Sequence, residues 1–460
     1  MTATRQKLDP ALLRLAGVML IGVLAVVFDT TIVNVAINTL GRDLNAGVTT
    51  IQWVTTGYLL ALGAAVPVTG WLLDRFGGKR IWMIALTVFL AGSIGSSLAG
   101  SAGQLIAWRV FQGLGGGLML PVLTTLLVQA ADGAVLGSAV ALISLPVVLG
   151  PIFGPLIGGL IVEHLSWRWI FWVNVPFCVI GLLLAWFLMP ALPGRRRARL
   201  DVTGLALISP GIAAIVFALS RVGGSFPRPS VVLPLLAGVA LLVVFTVRAL
   251  RRGPNALVDV RLFRIRSFSA AGALLFLSGF TLYGGMLLVP LYFQQVRGTS
   301  AVLAGLLIGV QGLGVLATRT LAGKLTDAVG ARWVTFAGLL IVAAATVPFA
   351  LAGEHTNRWW LVATLVIRGV GLGGVTIPVM AASYTGLAKD EIPHASIITR
   401  VAQQVGGSFG TAVLAVVLSR AAASHPLPAA FDRAFWWSIA VTVPALLLTL
   451  ELPVHRSPAG

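Results

Sequence analysis

The sequence predicts an all-α protein that crosses a membrane many times, and three observations carry that prediction. Hydrophobic residues make up 58% of the 460-residue chain and charged residues 10%, where a soluble domain has about 25% charged. The mean hydropathy is +0.97 over the whole chain, which no soluble fold could accommodate. The apolar residues also gather into long runs separated by polar or Gly/Pro punctuation, of the length a helix needs to cross the hydrocarbon core. Soluble enzymes, nucleic-acid binders and secreted domains drop out together.

Six runs, near 12–40, 49–73, 80–99, 104–130, 135–163 and 168–190, precede the first strongly basic stretch, Arg195 to Arg199. Two follow, near 202–220 and 231–250, and then a second basic stretch, Arg248 to Arg266. Six more lie near 268–296, 302–323, 331–352, 358–387, 392–419 and 433–453. The order is six, two, six: a first bundle over 1–194, an inserted pair with basic flanks over 195–266, and a second bundle over 267–460. The first run extends past signal-peptide length without a small-residue cleavage site and reads as a retained span. The interiors of the two inserted spans hold no charged residue and few polar ones beyond Thr203, Ser209 and Thr246. It is therefore expected outside the bundles, mostly facing lipid. VDVRLFRIRSF (258–268) interleaves apolar and basic residues and reads as a short interfacial helix.

The net charge of +18 comes from 32 Lys+Arg against 14 Asp+Glu. In a membrane chain this excess marks cytoplasmic loops and anionic headgroups rather than a nucleic-acid partner. Twenty basic residues fall on the amino-terminal side of the spans and eight on the other, while Arg109, Arg319, Arg368 and Arg400 fall within them. Both termini are thus expected in the cytoplasm, with the chain in the cell membrane and anionic lipid as a partner. The single cysteine, Cys178, lies in an apolar run and reads as packing. His164 and His394 have no metal-ligand spacing, and no metal site is expected. No Ser/His/Asp constellation or phosphate-cradling Gly-x-x-x-x-Gly-Lys-Ser/Thr loop is present, so neither an enzyme nor an ATP-driven pump has its parts. No cofactor is implied, and the energy must come from an ion gradient. A proton entering down about 150 mV releases roughly 3.5 kcal/mol, which sustains a gradient of a few hundredfold for a neutral substrate.

The two six-span groups echo each other. Gly70, Asp74 and Gly77 in GWLLDRFGGKR (70–80) match Gly323, Asp327 and Gly330 in GKLTDAVGARW (323–333) at an offset of 253. Arg109 with its Gly-rich sequel matches Arg368 with GVGLGGVTIP at an offset of 259. Parallel repeats of this kind are a transporter signature.

GWLLDRFGGKR resembles the Gly-x-x-x-Asp-Arg-x-Gly-x-x-Arg motif of the major facilitator superfamily, with Gly70, Asp74, Arg75, Gly77 and Arg80 in place. LIAWRVFQGLGGG (105–117) resembles its fourth-span motif, and GPIFGPLIGG (150–159) its fifth-span antiporter motif, with Gly150, Gly154, Pro155, Gly158 and Gly159. FDTTIVNVAINTL (28–40), SWRWIFWVNVPF (166–177), LVDVRLFRIRSF and PLYFQQVRGTSAVLAGLL (290–307) extend the likeness to the fourteen-span drug:proton antiporter family of that superfamily. The resemblance implies a major facilitator fold of two pseudo-symmetric bundles that export drugs in exchange for protons by alternating access.

The residues give their own reading. A carboxylate, Asp74, beside Arg75, Lys79 and Arg80 can latch one conformation and release it as the bundles rock, or simply anchor the topology. The second copy keeps Asp327 but has Ala328 where Arg75 stands, which suggests a weaker latch. The small residues of the fifth span allow close helix approach, and Pro151 and Pro155 bend it, as in a hinge between halves or in ordinary packing. Asp29 is the one carboxylate well inside a span, and an interior carboxylate is costly. It is the candidate for proton exchange, with Arg109 as its tuning partner and a static strut as the alternative. Thr31, Asn34, Trp53, Gln112, Phe276, Phe280, Tyr283, Gln311, Gln403 and Gln404 are candidate walls of a cavity for a small amphiphilic organic substrate. The reading is a monomeric proton-coupled exporter of drugs or antibiotics. A proton-coupled importer on the same fold and a non-transporting receptor or scaffold are the alternatives.

Overall fold

The structure, a computed structural model, describes residues 9–46, 48–131, 142, 145–190, 200–220, 229–253, 256–299, 301–353, 356–388 and 390–453. The basic stretch Arg195 to Arg199 lies outside them, as do the side chains of Asn34, Pro151, Pro155 and Gly159. Every regular element among the described residues is helical. The first group is α1 (Pro10–Val35), α2 (Ile37–Asp43), α3 (Val48–Ala65), α4 (Thr69–Phe76), α5 (Gly78–Ser97), α6 (Ala102–Ala130), α7 (Leu145–His164), α8 (Trp169–Trp172) and α9 (Asn174–Leu188). Next come α10 (Val202–Ser220) and α11 (Pro229–Arg252). The last group is α12 (Arg266–Gln295), α13 (Ala301–Val329), α14 (Ala331–Ala350), α15 (Arg358–Ala382), α16 (Ile392–Ala422), α17 (Leu427–Ala440) and α18 (Thr442–Thr449).

Among the described residues, thirteen helices are long and apolar enough to cross a membrane. They follow the runs read from the sequence except at the fifth, where α7 stands and much of the run lies outside the described side chains. The chain is a multi-pass helical membrane protein. Its helices start where the sequence supplies caps: Asp9 accepts from the Ala11 N–H at 2.9 Å, Ser101 from Gln104 and Asn357 from Trp359. The first run, read as continuous to residue 40, breaks at Ala36, whose N–H turns back to the Val33 carbonyl. Apolar residues continue through the break, so hydropathy gave no sign of it.

The repeat is visible in backbone geometry. Gly77, before α5, has φ 83° and ψ 159°, and Gly330, before α14, has φ 87° and ψ 161°. Only glycine adopts such angles without strain. Two residues further on, Lys79 donates to the Trp186 carbonyl at 2.7 Å and Arg332 to the Leu452 carbonyl at 3.0 Å. In each group the cation after the turn is tied to the end of the group's last span.

Within the first group α6 packs on α3 and α5, and α1 on α7 and α9; in the last, α12 packs on α16, and α15 on α13 and α14. Between the groups, α7 meets α13, and α16 meets α4 and α6. One apolar core joins all three parts of the chain, with Leu73 and Leu126, Ile212 and Phe245, and Ile392 and Ile397 among its members. Two others stay within one group each. The joining end is the one that carries the Gly77 turn. There Gly70 faces Pro393 and Ile397 of α16, and the Thr125 and Ser396 hydroxyls lie 3.0 Å apart.

The inserted pair is only half as expected. Of its membrane-crossing stretch, α11 buries 17% and exposes Leu233, Leu236 and Val243, but α10 buries 50%. Helix α10 lies against both groups, α3 on one side and α16 on the other. Ser209 donates to the Ala64 carbonyl at 2.8 Å, the Phe217 and Trp53 rings are 5.7 Å apart, and Ile215 and Leu219 pack on Ala412. An apolar helix face suits lipid and protein equally, so the sequence could not tell the two apart. At the end of the pair, Asp201 receives Arg252 at 2.6 Å, Arg248 at 2.9 Å and the Gly204 N–H at 3.0 Å. Burial alone would raise this carboxyl's pKa, but the N–H and the two guanidinium groups outweigh it and hold the pKa below the usual value. The segment read as an interfacial helix is a 3₁₀ turn, Val260–Arg264, capped by Asp259.

Candidate functional site

Asp29 is fully buried in α1 and accepts three hydrogen bonds from side chains. Arg109 Nη1 donates to Oδ2 at 2.6 Å; Asn174 Nδ2 and Gln112 Nε2 donate to Oδ1 at 2.9 and 3.1 Å. Each donor has a second anchor. Arg109 also gives Nη1 to Gln112 Oε1 at 2.7 Å and Nε to the Val54 carbonyl at 3.3 Å, and its guanidinium lies 3.9 Å from the Tyr58 ring centre. Asn174 reaches Ser93 Oγ at 3.0 Å, and Ser93 donates to the Phe171 carbonyl.

Small residues make this crowding possible. A Cβ on Gly113 would stand 2.5 Å from the Tyr58 carbonyl, and one on Gly92 equally close to Gln112, so α3, α5 and α6 meet nearly backbone to backbone. On α7, Gly150 faces Val27, Gly154 faces Thr31 and Gly158 faces Ile32, all on α1. These three motif glycines therefore seat the helix that carries Asp29 rather than a helix of the other group. Thr31, read as a cavity wall, donates to the Gly150 carbonyl across the same contact at 3.3 Å.

A buried ion pair with its remaining valences filled is an arrangement that resists loss of either partner. Protonation of Asp29 would remove the charge that Arg109 answers, while Gln112, the Val54 carbonyl and the Tyr58 face would still hold the guanidinium.

The second group carries a related site with different chemistry. Arg368 is buried in α15 and donates to Gln311 Oε1 at 2.5 Å, the Thr281 carbonyl at 3.0 Å and Thr346 Oγ1 at 3.2 Å, all neutral. Tyr58 and Gln311, like Ser93 and Thr346, are 253 residues apart, the offset of the loop motif. Against the guanidinium of Arg368 stands Gly285.

The other expected residues divide. Gln112 and Gln311 are buried within the two arginine networks instead of lining a cavity, and Phe280 is buried. Phe276 and Phe280 gather around Phe409, with centroids 5.8 and 6.2 Å away. Gln403, Gln404 and Tyr283 are partly exposed, and Gln403 receives Arg400 at 3.4 Å. In the loop motif Arg75 and Arg80 are exposed, Gly77 makes the turn and Gly70 meets α16. Asp74 borders a crevice at the joining end together with Thr125, Asp390 and Pro393; Asp327 lies near the end of α13. Sequence reasoning missed Asn174, Ser93, Tyr58 and Gly285. Asn174 was legible in principle, as the lone amide in the apolar run that follows Arg168.

Residues 19–411 match the Major Facilitator Superfamily. The chain belongs to that superfamily. Its relatives in the superfamily include the "multidrug resistance protein B homolog" of Mycobacterium tuberculosis, 35% identical over 90% of this chain and 77% of the relative. The lincomycin resistance protein LmrB of Bacillus subtilis is 29% identical over 85% of this chain and 82% of its own. Among solved major facilitator structures, the proton:xylose symporter XylE superposes with a TM-score of 0.67 at 16% identity, over 97% of each chain. That likeness shows the fold. As a member of this superfamily with transporter relatives, the protein is a transporter and not an enzyme.

Proposed function

We propose that the protein is a proton-coupled exporter of amphiphilic drugs or antibiotics, one of the fourteen-span drug:proton antiporters. In this reading α7 completes fourteen spans, 1–194 and 267–460 are the two moving bundles, and 195–266 is the inserted pair. The monomer sits in the cell membrane with both termini in the cytoplasm, drawing on the proton gradient and no cofactor.

The observation that carries the reading is the sealed Asp29 cluster. Among the described residues it holds the one carboxylate deep within a span, and a carboxylate is kept there only at a cost. Relatives named for multidrug and lincomycin resistance support a drug as cargo. Helix α1 links the parts: it carries Asp29, lies on the glycines of α7, and α7 meets α13 of the other bundle. A change of charge at Asp29 can thereby bias the contact between bundles. With the loop ends cytoplasmic, the joined core at Gly70, Thr125 and Ser396 is a closed inner gate.

The test is accumulation of fluorescein and of ethidium, an anionic and a cationic dye, in inverted membrane vesicles of a pump-deficient host. Export predicts uptake on imposing an acid interior, collapsing with an uncoupler. Uptake that ignores the uncoupler, or accumulation by whole cells instead, would overturn the proposal.

A further inference from the structure

The membrane-crossing part of the protein is unbalanced in charge. Asp29 neutralises Arg109, and Arg368 is held by neutral acceptors. Arg319 and Arg400 have no acidic partner among the described residues, and Nη1 of Arg319 and Nε of Arg400 are buried without any hydrogen-bond acceptor.

These two arginines share three features. They lie on α13 and α16, the helices through which the second bundle meets the first. Arg319 is ten residues from Val329 and Arg400 eight from Ile392, so both stand about 12–15 Å in from the same end of the bundle at 1.5 Å per residue. Both are partly exposed. A guanidinium exposed at that depth faces an aqueous cavity, because lipid would not tolerate it. On α16 the same stripe continues polar through Gln403, Gln404 and Thr411. Tyr384 shares a hydrogen bond with Thr399, the neighbour of Arg400, and the Tyr283 ring lies against Gly407 on the same helix.

We infer that Arg400 is an anion subsite, with Arg319 a second unpaired cation at the same depth, and that the preferred substrate is an amphiphile bearing an acidic group, a carboxylate or sulfonate on an aromatic body. Arg400 takes the acid with the aromatic body toward Phe276 and Tyr283, and Arg319 adds positive charge at the same depth from α13. With Asp29 sealed in its own cluster, the cavity offers an incoming molecule positive charge. This deepens the export reading and rests on it.

The experiment uses purified full-length protein. In the wild type, 2-naphthoate should displace bound fluorescein at least tenfold more effectively than 2-naphthamide, which has the same body without the charge. Arg400→Gln and Arg319→Gln should each lower the ratio of fluorescein to rhodamine 6G affinity tenfold or more, and Arg400→Lys by less than threefold. Equal displacement by the acid and the amide, or equal weakening of both dyes in the Gln variants, overturns the subsite. The wild-type displacement needs no variant to fold. If the acid is preferred but no bound dye moves under a pH gradient in proteoliposomes, the subsite stands and the export reading fails.

Discussion

Gly285 presses its backbone so closely on Arg368 that a Cβ there would stand 2.5 Å from both terminal guanidinium nitrogens. Arg368 has its counterpart in Arg109 of the first bundle, which meets Asp29 on the opening helix. Both bundles thus keep a buried arginine, with an acid against one guanidinium and a bare backbone against the other. The first arginine faces an ionisable carboxyl and the second faces neutral groups alone.

That asymmetry predicts different responses to losing each arginine. Arg368→Gln should slow transport without changing the number of protons moved per substrate, measured as paired substrate and pH signals in proteoliposomes. A changed ratio would mean that the second site titrates after all.

Arg109→Ala should abolish coupled transport and cost about 3–5 kcal/mol of stability, because it leaves Asp29 charged and unpaired in the interior. The neutral pair Asp29→Asn with Arg109→Gln should regain most of the thermal stability but none of the coupling. If Arg109→Ala melts like the wild type, the ion pair is not what holds these helices.

Gly154→Ala should impair transport at least tenfold, since the added methyl collides with Thr31 on the helix that carries Asp29. Thr31→Ala in the same chain should restore part of the activity. Full activity of Gly154→Ala would show that α1 and α7 separate freely during the cycle.

Asp201 ties α10 to α11 through Arg248 and Arg252. Its pKa is depressed in the folded protein, so the stability it contributes is present above the unfolded carboxyl value and lost as pH falls through the folded one. Asp201→Asn should lower the melting temperature at pH 7, with the gap to wild type closing as pH drops below about 4. A gap that persists in acid would assign the effect to packing.

Single cysteines in a Cys178→Ser background should separate the two inserted helices. Positions 233, 236 and 243 on α11 should resist water-soluble maleimides throughout transport. Position 217 on α10, against Trp53, should change its reactivity when substrate is added if the wedge moves with the bundles; constant reactivity there would make α10 a static filler.

The sequence made the spans, the repeat and the meeting of Asp29 with Arg109 readable, because interior charge is rare enough to be informative. It did not reveal which polar groups complete the cluster. Gln112 and Asn174 could as well have lined a cavity; the close approach of α6 to α3 and α5 turns the first inward, and the packing of α9 on α1 and α5 the second. Gly285 was unreadable for another reason: what matters there is an acid that is missing. The wedge formed by α10 was hidden because lipid and protein contacts share one apolar composition.

The central claim is that Asp29 exchanges the coupling proton. The most direct measurement is substrate-dependent proton flux in proteoliposomes containing Asp29→Asn at wild-type abundance and with wild-type melting behaviour. The amide fills nearly the same volume but cannot release a proton, so the variant should bind dye yet show no proton flux and no pH-driven accumulation. Wild-type proton flux from Asp29→Asn would contradict the account and place the coupling group elsewhere in the chain.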